Sequence, residues 1–353
     1  MKIVFCGLSI TSSWGNGHAT NYRALVRELS ARGHDVLFLE RDMPWYASQR
    51  DLPEPPWGRT ALYDSVEELE DHVADVAAAD LAVVGSYVPE GVAVAEWVLE
   101  RAEGAVAFYD IDTPITLAKL RRGDAEYLSP ALVPRFDLYL SFTGGPTLRV
   151  LEEEFGARRA VAFYCLVDPE AYRPLHDAPY WDLGYLGTYS DDRQPTLEQL
   201  LVETARLMPE GDFAVAGPQY PEEVEWPQNV ERFEHIAPAD HPAFYASQRF
   251  TLNVTRAQMR AAGWSPSVRL FEAAACAVPV ISDRWDGLDQ IFTPGEEILI
   301  ADSADDVAGY LAEAWEDERL AIGERARARV LAEHTAERRC EQLEQEVAGA
   351  VAA

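Results

Sequence analysis

Lysine is nearly missing from this chain. It stands only at positions 2 and 119, so almost all of the 30 basic residues are arginines, set against 60 acidic ones for a formal charge of −30. So acidic a chain offers no broad basic face to neutralise phosphates, which excludes nucleic acid as the main partner. An anionic membrane surface would repel it. Biased composition accounts for the charge more simply than function does. Cysteine is scarce as well: Cys6, Cys165, Cys276 and Cys340 are scattered, without CxxC spacing or a Cys/His cluster. Each lies in or beside an apolar run and reads as a small buried hydrophobe in a reducing compartment. No apolar run reaches the roughly 18 residues of a membrane span, and MKIVFCG has no signal-peptide core. These absences predict a cytoplasmic protein without stable membrane insertion. The GxGxxG spacing of dinucleotide-binding turns is lacking too, which argues against NAD or FAD.

What is present fits two α/β domains. The 353 residues, 48% of them hydrophobic, suffice for two cores of about 150 residues each. Short apolar runs alternate with helical patterns, as in parallel βαβ units. In the first half, strands are expected at 2–6, 35–40, 81–86 and 105–110, with two more in DLYLSF and AVAFYC. Helices are expected at about 18–32 and 66–79, and an ordered loop at 43–57. Proline and aromatic residues at 167–181 suggest a linker. A second series follows: LGYLGT, FAVAGP, NVERF, RFTLNV, VPVIS and EILIA as strands, with helices between them and from Ser303 onward. The predicted division is 1–170, 171–330, and a C-terminal helix at 331–353 that packs back on the first domain.

Four stretches carry candidate chemistry. The first is the loop GLSITSSWGNGHAT, where Gly15 and Gly17 permit close backbone approach before a helix start that favours an anion. His18, at that helix mouth, is either a loop or capping residue or a general base. The second is FYDIDTP. Asp110 and Asp112 there are a metal-binding DxD pair, or Asp110 is a base, or one of them caps the next helix. The third, and the most informative, is residues 249–283. Arg256 and Arg260 follow a strand; Ser265 and Ser267 open a helix; Arg269 and Glu272 then share one helix face, with Leu270 and Phe271 between them. Arginine forks and free helix N–H groups suit a diphosphate, and a carboxylate suits a ribose diol. The fourth is YLGTYSDDRQ, where Gly187, Thr188 and Tyr189 end a strand and Arg193 can reach a phosphate. Gly217 in AGPQY ends another strand, and His235 and Ile236 in FEHIAP can frame a base.

In the order LGTYSDDRQ, AGPQYP, NVERFEHIAP, LNVTRAQM, GWSPSVRLFEAAACAVPVISD and GEEIL, the chain resembles the CgeB-like (spore maturation protein type) glycosyltransferases. The resemblance runs through GNGHATNYRALVRELSARGHDVLFLERD at the front. It implies a GT-B fold, two facing Rossmann-like domains with a nucleoside-diphosphate sugar as co-substrate in the cleft. It further implies that Glu272 takes the ribose hydroxyls, that Arg193 and Arg256 hold the diphosphate, and that His18 acts as base. No metal and no further cofactor are expected, and the acceptor is a hydroxyl or amine of a small molecule or glycan. Retaining GT-B enzymes of the commonest type carry a second glutamate seven residues before the ribose-binding one; here that position is Ser265, so the sugar is gripped differently. The competing readings are a metal-dependent transferase using Asp110 and Asp112, a non-catalytic two-domain binder of nucleotides or sugars, and a sugar-nucleotide epimerase.

Overall fold

The computed structural model describes the chain apart from residues 16, 176, 177, 314, 315 and 353 and the side chains of 313, 351 and 352. It divides into two compact units, Met1–Cys165 with Ala336–Ala353, and Leu166–Thr335.

The first unit holds seven strands: β1 (Lys2–Gly7), β2 (Asp35–Arg41), β3 (Arg59–Tyr63), β4 (Leu81–Gly85), β5 (Ala105–Asp110), β6 (Leu138–Ser141) and β7 (Ala160–Ala162). They form one sheet in the order β3-β2-β1-β4-β5-β6-β7, and every pairing is parallel. The central strands β4, β5 and β6 are buried along their whole length, as expected when helices cover both faces of a parallel sheet. Helix Ala336–Ala352 packs on helix His18–Ala31 and on β5. All four cysteines are buried.

One strand escaped the sequence reading, and one expected helix needs correction. Strand β3 has no apolar signature because it is the sheet edge: Arg59 to Leu62 are only partly covered, so burial did not select its sequence. The helix expected at 66–79 splits into a 3₁₀ turn, Val66–His72, and a short α-helix, Val73–Ala77.

A buried carboxylate fixes the loop after β1. Glu40 at the end of β2 is 0% exposed, and its oxygens accept from Ser9 Oγ, Ile10 N, Thr11 N and Thr11 Oγ1 at 2.6–3.0 Å. In a dinucleotide-binding domain an acid in this region would face a ribose; here it is filled by the chain itself. Glu40→Leu leaves Ile10 N, Thr11 N and Thr11 Oγ1 without the acceptor they use, while Ser9 Oγ keeps Ser12 O, so a loss of about 3–5 kcal/mol is expected in chemical or thermal unfolding.

The second unit repeats the plan with β8 (Trp181–Leu186), β9 (Phe213–Ala216), β10 (Val230–Phe233), β11 (Gln248–Asn253), β12 (Val280–Ser282) and β13 (Leu299–Ile300). Their order is β10-β9-β8-β11-β12-β13, again parallel throughout. In both sheets the chain winds outward from the first strand on one side, then crosses to the other. That places a topological switch at β1/β4 and at β8/β11. Ligands of such sheets bind beyond the carboxyl ends of the strands at this point.

Candidate active site

At the switch of the second sheet, β8 ends at Leu186 and β11 at Asn253, and helix Val268–Ala275 begins beside both. Arg269 ties these ends together. Its Nε donates to Leu186 O (2.5 Å) and its Nη1 to Asn253 Oδ1 (3.0 Å), and the guanidinium lies 4.7 Å from the centre of the Tyr185 ring. Ser267 Oγ donates to the same Asn253 oxygen (2.8 Å). Arg269 is 7% exposed. Expected as a donor ligand, it is committed to the framework of the site through two of its nitrogens.

The loops after β8 and β9 lock onto each other. Gly187 N donates to Ala216 O and Tyr189 N to Pro218 O. Gly217 has φ +147°, and a Cβ there would lie 2.0 Å from Gly187 O, so only glycine fits. Beyond Thr188 and Tyr189 come two arginines. Arg193 Nη2 donates to Thr188 O (2.5 Å), and Arg256 Nε lies 3.8 Å from Asp192 Oδ2, outside hydrogen-bonding reach. Burial pushes the Asp192 carboxyl up. The Ser190 hydroxyl, the Ala257 amide and the charges of Arg256 and Arg193 outweigh this and hold it below the usual carboxylate range. The Nε atoms of Arg193 and Arg256 are both buried with no hydrogen-bond partner among the described residues. Leaving such a donor unsatisfied costs roughly 1–3 kcal/mol, and two in one place call for an acceptor.

Glu272, 4% exposed, sits deeper on the helix. Its Oε2 accepts from Tyr245 OH (3.0 Å) and lies 3.8 Å from His241 Nδ1. His241 bonds Tyr172 OH through Nδ1 (3.2 Å) and faces Ile236 O through Nε2 (3.2 Å). A carbonyl only accepts, so Nε2 carries a proton towards Ile236 O. One histidine thus joins the loop after β10 to the surroundings of Glu272. His235 is exposed in that loop, and the Ile236 side chain packs against Ala214, Ala216 and Phe244.

Leu270 and Phe271, expected at the donor, are instead 0% exposed. Phe271 stacks on His334 with centroids 4.2 Å apart, and Leu270 N closes the first turn onto Ser267 O. Both lie on the apolar side of an amphipathic helix, which faces the core. Ser265 is buried at the approach to this helix. The segment that carries Arg256 and Arg260 after the strand contains a helix, Ala257–Ala262.

In the first unit, Gly15 (φ +58°) and Gly17 precede helix His18–Ala31, while Asn16 between them lies outside the described residues. His18 is half-buried and meets the Tyr87 ring edge-on at 5.5 Å. Tyr87 has φ +63° and donates from its hydroxyl to Asp112 Oδ2 (3.1 Å). Burial lowers the His18 pKa below the ordinary 6.5, and the Asp112 charge draws it partly back. His18, Tyr87 and Asp112 follow β1, β4 and β5, on both sides of that sheet's switch.

Asp110 does not join them. It is 0% exposed, with Oδ1 accepting from Thr116 Oγ1 (2.8 Å) and Asp112 N (3.3 Å), and Oδ2 from Tyr139 OH (2.6 Å). Neither a base nor a metal ligand can be built on oxygens so engaged, and both expectations for Asp110 are withdrawn. Burial pushes its pKa up to about 6 from 3.8, against the pull of those hydroxyls. A raised value means that its stabilisation is full below the unfolded value and disappears as the pH climbs through about 6. Relative to Asp110→Asn, the natural protein is therefore expected to lose up to about 3 kcal/mol between about pH 4 and pH 7.5, while the variant keeps its turnover. Paired melting curves and initial rates check this.

Sequence reasoning passed over Asp192, Asn253, Asp283 and Tyr87. The available signal was their place: a polar residue at or just past the end of an apolar run, where a parallel strand delivers its functional groups.

Residues 193–345 match the family model described as Glycosyl transferase-like, whereas among curated proteins nothing matches. Solved structures match over the whole chain. A sucrose-phosphate synthase from Thermosynechococcus elongatus superposes with a TM-score of 0.70 at 15% identity, with 100% of both chains covered. Anabaena HepE in complex with UDP and glucose gives 0.72 at 14%, covering 99% of this chain and 100% of that one. An alpha-glucosyltransferase in complex with UDP gives 0.69 at 12%, covering 98% and 99%. The fold is GT-B. The match of residues 193–345 points to a glycosyltransferase and does not favour an epimerase or a non-catalytic binder. Among the described residues no helix is long and apolar enough to cross a membrane.

Proposed function

We propose that this protein transfers a hexose-type sugar from UDP or dTDP to a hydroxyl or amine acceptor, without a metal ion, as a cytoplasmic enzyme of the CgeB-like type. The observation that carries the reading is the pair of buried, unpartnered guanidinium Nε donors of Arg193 and Arg256 beside the β8/β11 switch. A diphosphate supplies the anionic acceptors they lack, and the first N–H groups of helix Val268–Ala275 add to its binding. Solved GT-B structures with UDP bound support the same donor class. As the sugar–phosphate bond breaks, negative charge grows on the diphosphate, and fixed donors stabilise it without reorganising. Glu272 has Oε2 engaged by Tyr245 and turns its other oxygen to the ribose diol. Gly187, Thr188 and Gly217 line the approach by backbone, and His235 and Ile236 border the base. His18 accepts the acceptor's proton, with Asp112 stabilising the imidazolium that forms.

Thermal-shift and calorimetric titration with UDP, dTDP, ADP and GDP test the donor. UDP or dTDP is expected to raise the melting temperature, since a ligand that binds only the native state stabilises it. No response to either one refutes the reading.

A further inference from the structure

The family resemblance implies a sugar-gripping carboxylate where this chain has Ser265, and the loop after β12 carries two buried polar atoms without a hydrogen-bond partner among the described residues. Asp283 follows β12 directly and is 3% exposed. Its Oδ1 accepts from Thr255 N (3.1 Å) and Thr255 Oγ1 (2.8 Å), while its Oδ2 is buried with no partner among the described residues. Two residues on, Trp285 is 5% exposed, and its indole Nε1 is equally buried and equally without a partner. A single short loop thus holds one orphaned acceptor and one orphaned donor. Native proteins rarely leave either.

This loop is joined to the donor site by two routes. Asn253 Nδ2 donates to Thr255 Oγ1 (3.2 Å), and the same Asn253 receives Arg269 and Ser267 at the helix start. On the other side, Gly263 and Trp264 are both left-handed, at φ +66° and +43°. Trp264 N donates to Asp286 O (2.6 Å), and its ring covers Gly287, where a Cβ would lie 2.5 Å from the indole. A left-handed tryptophan costs energy, and what it achieves is to hold the approach to Ser265 against Asp286 and Gly287. A lone acceptor and a lone donor together match a hydroxyl, which gives its proton to one and accepts from the other.

We propose that Asp283 Oδ2 and Trp285 Nε1 read a hydroxyl of the transferred sugar, in the role left vacant at Ser265. The inference rests on the donor reading above and makes the pair a determinant of sugar specificity. The bare diphosphate, which lacks the sugar, does not use it.

The test compares bare UDP and dTDP with UDP-glucose, UDP-galactose, UDP-N-acetylglucosamine and dTDP-glucose by calorimetry, on the full chain and on Trp285→Phe and Asp283→Asn. In the natural protein one sugar nucleotide is expected to bind more tightly than its own diphosphate. Each variant should lose about tenfold of that gain and keep the Kd of the bare diphosphate. A deoxy analogue lacking the hydroxyl in question should bind the natural protein and the variants alike, which a purely structural role would not produce. Trp285→Phe removes the N–H while keeping an aromatic ring, so it decides the matter should Asp283→Asn unfold. The pair is overturned if no sugar adds affinity in the natural protein, if both variants keep the gain, or if they weaken bare diphosphate equally. Failure of the natural protein to bind any bare diphosphate is a different result and removes the donor reading itself.

Discussion

Replacing Arg256 or Arg193 by alanine is expected to weaken UDP or dTDP binding on the order of 100-fold. Each guanidinium presents a buried Nε donor without an acceptor among the described residues, and a charge-assisted hydrogen bond to a diphosphate, once made, is worth about 1.5–3 kcal/mol. Both arginines also act on Asp192, so the double variant should fall short of the summed effects. Lysine should rescue neither position, because an ammonium cannot reproduce the planar fork. Arg256→Ala changes no hydrogen bond of the Arg256 side chain described here, whereas Arg193→Ala also loses the contact to Thr188 O. The melting temperature should therefore fall more for Arg193. Calorimetry at fixed ionic strength measures the affinities, and an unchanged Kd in Arg256→Ala would refute the diphosphate assignment.

His18→Ala should leave nucleotide affinity where it is and lower kcat by about 10²–10⁴, the usual contribution of a positioned general base. Only the neutral imidazole accepts a proton. Burial lowers the His18 pKa, so the acid limb of the rate profile is expected below pH 6.5, with a plateau above it. The Asp112 charge raises that pKa, so Asp112→Asn should move the limb further towards acid. A profile that keeps the same limb in His18→Ala would assign it to another group. Tyr87 makes this arrangement specific: a left-handed residue whose hydroxyl bonds Asp112 while its ring meets His18. Tyr87→Phe keeps the ring contact and loses the bond, so its effect on rate should be smaller than that of His18→Ala.

Several residues of the candidate site were legible as candidates because position along a strand carries chemical meaning. GTYSDDR and TRAQM announce themselves as polar segments after apolar strands, and SPSVRLFE as a helix start with an arginine and a glutamate on one face. Chain order cannot tell which of these groups the fold uses up. Arg269 and Asp110 look as available in the sequence as Arg256 and Asp112 do. Yet Arg269 bridges Leu186 and Asn253, and Asp110 is closed in by Tyr139 and Thr116. Leu270 and Phe271 fell on the wrong side of their helix for a ligand. The edge strand β3 was illegible because nothing buries it on both sides.

By itself the sequence determined the α/β repetition, the strongly acidic composition, and the segments where polar residues gather at strand ends. Each of these follows from local periodicity and composition. Tertiary structure alone decided which polar groups are satisfied. Satisfaction depends on partners as far apart in the chain as Asp110 and Tyr139, or Thr255 and Asp283. The atoms left without a hydrogen-bond partner among the described residues, Nε of Arg193 and Arg256, Oδ2 of Asp283 and Nε1 of Trp285, are the ones on which the proposed ligand contacts rest.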